Sequence, residues 1–192
     1  MRKILSGLFF MALLATANGQ DNKEFKKKPI IAISGGAYDF VTAARISNTS
    51  LSKVLGNKGW ADVNEMYFAV GGSFIKGINN YFDYSVNFFT GNSSYPDRGE
   101  ETSSKKSFLT ELDASIHMKL LTDNYIVVPY LSAGVGASLW SKRFEAFMPT
   151  GAGLQIKISP DNFIFSNFQY RLPVTQGANY HFFYNIGFGG TL

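Results

Sequence analysis

The stretch "SFLTELDASIHMKLL", residues 107–121, decides the fold. Its alternate residues Phe108, Thr110, Leu112, Ala114, Ile116, Met118 and Leu120 form a nearly unbroken apolar series. Between them stand Leu109, Glu111, Asp113, Ser115, His117 and Lys119, mostly charged or polar. A period of two held over this length describes an extended strand with one oily face and one polar face. Two closed sheets use such strands. A soluble lipocalin-like barrel turns the oil inward, and a membrane barrel turns it outward.

The same pattern recurs along the chain. Strands are expected over 30–40, 65–75, 80–90, 107–121, 125–139, 150–159, 163–172 and 180–192, most of them long enough for a tilted strand to cross a bilayer. No helix is expected. Gly, Asn, Asp and Pro make tight turns of "KGIN" (76–79), "TDN" (122–124) and "SPDN" (159–162). Longer links, 41–64, 91–106, 140–149 and 173–179, fall between them. Strict alternation of long and short connections is the asymmetry of outer-membrane barrels, with long loops outside and short turns in the periplasm. An even strand count then puts the N- and C-termini on the periplasmic side.

The bulk of the oily faces selects the outward arrangement. Phe82, Tyr84, Val86 and Phe88 line one strand, and Tyr184, Ile186 and Phe188 another. Eight strands enclose too little room for so many large groups. The opposite faces carry small or polar residues, including Gly71, Ser73, Ser132, Gly134, Gly151, Gly153 and Gln155. The reading is therefore all-β: an eight-stranded antiparallel up-and-down transmembrane β-barrel. Its lumen holds a structural polar network of Glu65, Asp83, Glu111, Asp113, His117, Lys119, Lys157 and Arg171, whose opposite charges must pair because an uncompensated buried charge is costly.

Composition narrows the function classes. The chain has 192 residues, 16% aromatic and 17% charged, and no Cys, which excludes disulfides and cysteine metal sites. "MRKILSGLFFMALLATANGQ" has the basic start, short apolar core and small-residue cleavage site of a signal peptide, expected over 1–19. Its removal takes away Arg2 and Lys3 and no acidic residue, so the formal charge falls from +4 to +2. No basic groove is visible, and nucleic acid is not an expected partner. Residues 20–29 read as a solvated periplasmic lead-in, and 30–192 as the barrel.

Motifs for chemistry are weak. Ser115, His117 and Glu111 share a strand face, as acyl-transfer residues would, but so does every lumen residue. His181 beside Tyr180 reads as a membrane-interface residue. Trp60 and Trp140 lie in or beside long links and suit a girdle or loop packing. "GVG" and "GAG" lie within strands and open no helix, so they are not nucleotide loops. Asp39, Asp62 and Glu65 lack calcium-loop spacing. No catalytic residue, metal ligand or cofactor is expected.

"VPYLSAGVGASL" (128–139), "GAGLQIKISPDNFIFSNFQYRL" (151–172) and "YNIGFGGTL" (184–192) resemble the small outer-membrane β-barrel domain family, the OmpA- and OmpX-like porin-fold group of Gram-negative bacteria. The resemblance departs at Leu192, where such barrels often carry an aromatic residue. It implies residence in the cell outer membrane. The implied partners are outer-membrane lipid or lipopolysaccharide, the barrel-insertion machinery and a possible envelope protein complex. The family covers structural barrels, adhesins, conduits for small or apolar molecules and lipid-modifying enzymes. The expected role is non-enzymatic, structural or loop-mediated binding with a plugged polar lumen. A lipid-modifying enzyme and a lateral conduit are the alternatives.

Overall fold

Alternation in residues 107–121 becomes a strand whose side chains take opposite environments one by one. Glu111, Asp113, Ser115, His117 and Lys119 are buried inside, whereas Phe108, Leu112 and Ile116 project outward. Ile116 is 45% exposed and Glu111 is 1% exposed. The computed structural model describes residues 26–96, 100–101 and 106–192. The signal peptide expected over 1–19, residues 20–25 of the lead-in and part of the 91–106 link lie outside the described residues.

Eight antiparallel strands close into one barrel, each paired with its neighbours in sequence and the last with the first. They are β1 (Ile30–Asp39), β2 (Tyr67–Gly77), β3 (Phe82–Ser93), β4 (Ser107–Lys119), β5 (Val127–Trp140), β6 (Arg143–Ser159), β7 (Asn162–Pro173) and β8 (His181–Thr191). Closure runs from Ile30 opposite Thr191 to Asp39 opposite Phe182. A closed sheet leaves no unpaired edge, the one way strands satisfy their backbone groups where no water can. Ile33, Phe68, Val70, Phe88, Leu112, Val135 and Ile186 are among the exposed residues of the outer wall, and large exposed apolar surfaces mark interaction or membrane-facing regions.

Two connections depart from the sequence reading. The expected long link 140–149 is a two-residue turn. β5 runs to Trp140, β6 begins at Arg143, and Ser141 and Lys142 take φ of 47° and 69°. Two successive positive φ values make the hairpin geometry that matches strand twist. Pro149, one residue ahead of the expected strand 150–159, cannot donate to a ladder. Here it is absorbed in mid-strand, opposite Arg171. Long and short connections therefore do not alternate strictly.

The second departure is helical. The link after β1 contains α1 (Phe40–Asn48), α2 (Leu51–Gly56) and a 3-10 turn (Val63–Glu65). Asp39 caps α1 by accepting from the Thr42 N–H at 2.8 Å, and Ser50 caps α2 by accepting from the Lys53 N–H at 3.3 Å. α1 closes the long-loop end of the barrel. Its Phe40 packs with Tyr38, Phe89, Tyr95, Leu109, Trp140 and Phe183 in a buried cluster. The lumen is thus not polar throughout. Its long-loop end is aromatic, and a smaller apolar cluster of Ile30, Ala32, Ile75, Phe163 and Phe165 lies towards the short-turn end.

Candidate functional site: charged layers in the lumen

The inward residues of the strands meet in two charged layers. The lower one lies at the short-turn end. Asp83 on β3 accepts from two ammonium groups, Lys27 at 2.6 Å and Lys119 at 2.8 Å. Asp123, in the turn after β4, stands 2.5 Å from Lys119 and 3.2 Å from Lys27. Lys27 also donates to Gln155, and Lys157 donates to the backbone oxygen of Asp123. Beside this layer the ring of His117 stacks on Tyr130 at 4.6 Å, and its Nε2 meets the Ser85 hydroxyl at 3.0 Å. Gly153 makes that stack possible, since a Cβ there would collide with the Tyr130 ring.

Within the described part of the expected solvated lead-in, Lys27 is the exception. It is only 5% exposed, sits 5.8 Å from the Phe163 ring centroid, and its carbonyl accepts from the Gly77 N–H at 3.1 Å. The segment ahead of β1 thus enters the barrel mouth, where Lys27 is a second ammonium beside the carboxylates of Asp83 and Asp123.

The upper layer centres on Arg171 of β7, fully buried. Its guanidinium pairs with Glu111 and lies 3.5 Å from Asp113. Gln169 accepts from it at 3.2 Å. Asp113 also accepts from Asn87 at 2.7 Å and from Ser115 at 3.0 Å. Aromatic rings surround the cation, with Phe183 at 4.1 Å and Phe147 at 4.9 Å from the guanidinium carbon. A planar, weakly hydrated cation suits such a cage better than an ammonium would.

The expected lumen set is therefore distributed. Glu111, Asp113 and Arg171 form the upper layer. Asp83 and Lys119 form the lower one, with Lys157 at its margin and His117 beside it. Glu65 is elsewhere. It lies in the 3-10 turn outside the strands, where it accepts from the Asp62 N–H at 2.8 Å and from Arg45 at 3.0 Å. The chain enters β2 two residues later than expected, so strand phase does not apply to it. The Asp62 N–H, and then the Arg45 guanidinium, hold its carboxyl below the usual carboxylate range. Arg45 also lies 3.4 Å from Glu101, joining the first and second long links.

His181 is not at a membrane interface. It is fully buried, 3.3 Å from Glu111 and 4.7 Å from the Phe40 ring. The strand phase of Phe183 and Asn185 carried that signal. Trp140 is buried and donates to the Ser93 carbonyl at 3.2 Å, whereas Trp60 packs on the outer wall against Phe182 at 5.8 Å. Ser115, His117 and Glu111 are not brought together. Ser115 donates to Asp113, His117 meets Ser85, and Glu111 is held by Arg171.

No family model matches the chain, and no curated protein sequence matches it. Solved structures do. Neisserial surface protein A (NspA) aligns with a TM-score of 0.57 and 14% identity, over 85% of this chain and 96% of its own. The N-terminal β-barrel domain of Pseudomonas aeruginosa OprF aligns with a TM-score of 0.54 and 13% identity, over 86% of this chain and 98% of its own. The chain has the fold of the eight-stranded outer-membrane β-barrels.

Proposed function

We propose that this protein is a non-enzymatic β-barrel of the outer membrane that contributes structure to the envelope and presents its long links outside, with both termini in the periplasm. One observation carries the reading. Bulky apolar side chains cover the outside of a closed sheet, while ion pairs and aromatic rings fill the inside. That is the inverse of a soluble ligand-binding barrel, whose oil faces inward. The charged layers cross-link strands and hold the lumen carboxylates of Asp83, Glu111 and Asp113 in ion pairs. The partners on this reading are outer-membrane lipid, the barrel-insertion machinery and an envelope protein complex reached through the links.

Cell fractionation, gel mobility before and after boiling, and planar-bilayer conductance test it together. The barrel is expected in the outer membrane, with heat-dependent mobility and no large steady conductance. Recovery as a soluble periplasmic monomer overturns the location, and a steady open-pore current overturns the plug. Topology has its own test, because the chain has no Cys. A cysteine at Ser47 should react with an impermeant reagent on whole cells, and one at Asp161 should not. The opposite pattern inverts the orientation.

A further inference from the structure

The link after β1 leaves apolar side chains uncovered beyond the strands. Leu51 and Leu55 lie one helical turn apart on α2 and are about half exposed, and Val63 is 65% exposed. Residues four apart share a helix face, while Val54 on the same helix is buried. The segment is tied in place. Asn57 donates its N–H to Lys53 at 2.9 Å, Gly59 to Val54 at 2.8 Å, and Ala61 to the Thr42 hydroxyl on α1 at 2.8 Å. Trp60 stands four residues beyond the end of α2.

Trp60 is where this link joins the outer wall. Its partner Phe182 points outward, since Tyr38 and Phe183, the adjacent opposed pair, fill the lumen. Phe182 is nevertheless only 7% exposed. Trp60 lies over it, and Phe168, Tyr170 and Tyr184 flank it with centroids 5.3, 4.7 and 6.4 Å away. Outward aromatics clustered in this way are typical of the headgroup level of a membrane barrel. Trp60 thus ties the link that carries Leu51, Leu55 and Val63 to the aromatic cluster of the wall. Lys53 and Lys58 beside them are exposed, and neither has an ion-pair partner among the described residues.

We infer that residues 51–63 form an interfacial strap lying in the outer leaflet, with Leu51, Leu55, Trp60 and Val63 at the acyl boundary and Lys53 and Lys58 on the phosphates of anionic lipid. Apolar residues flanked by lysines are the composition of segments that lie in a membrane surface. Each lysine near an anionic surface adds attraction that neutral lipid cannot supply. The inference rests on the outer-membrane reading and adds a lipid-binding element to it.

The test places a polarity-sensitive fluorophore on single cysteines at Leu55, at Ser47 on α1, and at Ile116 on the barrel wall. The folded protein is reconstituted in vesicles of phosphatidylcholine alone or with phosphatidylglycerol. Ile116 reports insertion of the barrel independently of the strap. At Leu55 the emission should shift to the blue, respond to lipids spin-labelled near the headgroup and lose quenching by aqueous iodide, while Ser47 stays open to iodide. The Leu55 shift should grow with phosphatidylglycerol, and that growth should vanish in Lys53→Glu/Lys58→Glu. A lipid-quenched Ile116 with an iodide-quenched Leu55 overturns the strap and leaves the barrel reading standing. An iodide-quenched Ile116 overturns the barrel reading. A Leu55 shift indifferent to phosphatidylglycerol overturns the phosphate contact. A shift that follows the protein-to-lipid ratio assigns the surface to a second copy of the chain and overturns the lipid assignment.

Discussion

Lys27 and Asp83, 56 residues apart in sequence, meet at 2.6 Å inside the barrel mouth. The contact fastens the segment ahead of β1 to the wall opposite it. Lys27→Ala should destabilise the barrel, towards the lower end of the roughly 3–5 kcal/mol typical of a broken buried pair, since Lys119 still neutralises Asp83. Urea unfolding in lipid measures it. Unchanged stability would show that Lys27 contributes nothing to the lower layer.

Arg171→Ala removes the cation shared by Glu111 and Asp113, and a loss of about 3–5 kcal/mol is expected, less where water enters. Arg171→Lys should recover only part of it, because an ammonium lacks the planar fork and stacks poorly in the ring of Phe183 and Phe147. Full recovery by lysine would mean that charge alone matters at this site.

On the outer wall, Ile116→Arg should cost about 2–4 kcal/mol if its level is near the bilayer midplane. Ser115→Arg points into the lumen and escapes the lipid penalty, though it crowds Asp113. Equal unfolding curves for the two variants would contradict a lipid-facing stripe.

The turn that Glu65 holds should loosen in acid. Its carboxyl is depressed by the Asp62 N–H first and by Arg45 after it. Stability from such a group is complete above the ordinary carboxylate value and disappears as pH falls through the lowered one. Hydrogen exchange of residues 57–66 should therefore rise over that acidic window in the wild type. Glu65→Gln should exchange faster at neutral pH and respond less to acid. An acid response of the same size in Glu65→Gln would point to another group.

Much of this arrangement was legible in the sequence, and the exceptions have separate causes. β4 was readable because each of its residues obeys one period. Arg171, Asp83 and Lys119 followed from strand phase, and so could His181 have done had its neighbour Tyr180 not suggested a membrane rim. The expected strand 150–159 begins just after Pro149, whereas β6 runs through that proline from Arg143. α1 and α2 are nine and six residues long, too short for a periodic signal, although Asp39 and Ser50 were available as capping residues. Lys27 could not be found this way. It precedes the first strand, so no alternation fixes its direction, and its inward partners Asp83, Asp123 and Gln155 come from distant parts of the chain.

The two-residue turn at Ser141 and Lys142 leaves the rim lopsided. One side is roofed by α1 and the Tyr95 segment, and the β5–β6 side ends in a two-residue hairpin. Both turn residues are non-glycines at positive φ, a conformation that costs an L-residue roughly 1–2 kcal/mol. The tip is thus a place where foreign sequence can replace strained sequence. A flexible epitope spliced between Ser141 and Lys142 would stand clear of the roof, giving a display site on the low side of the barrel that leaves its interior untouched.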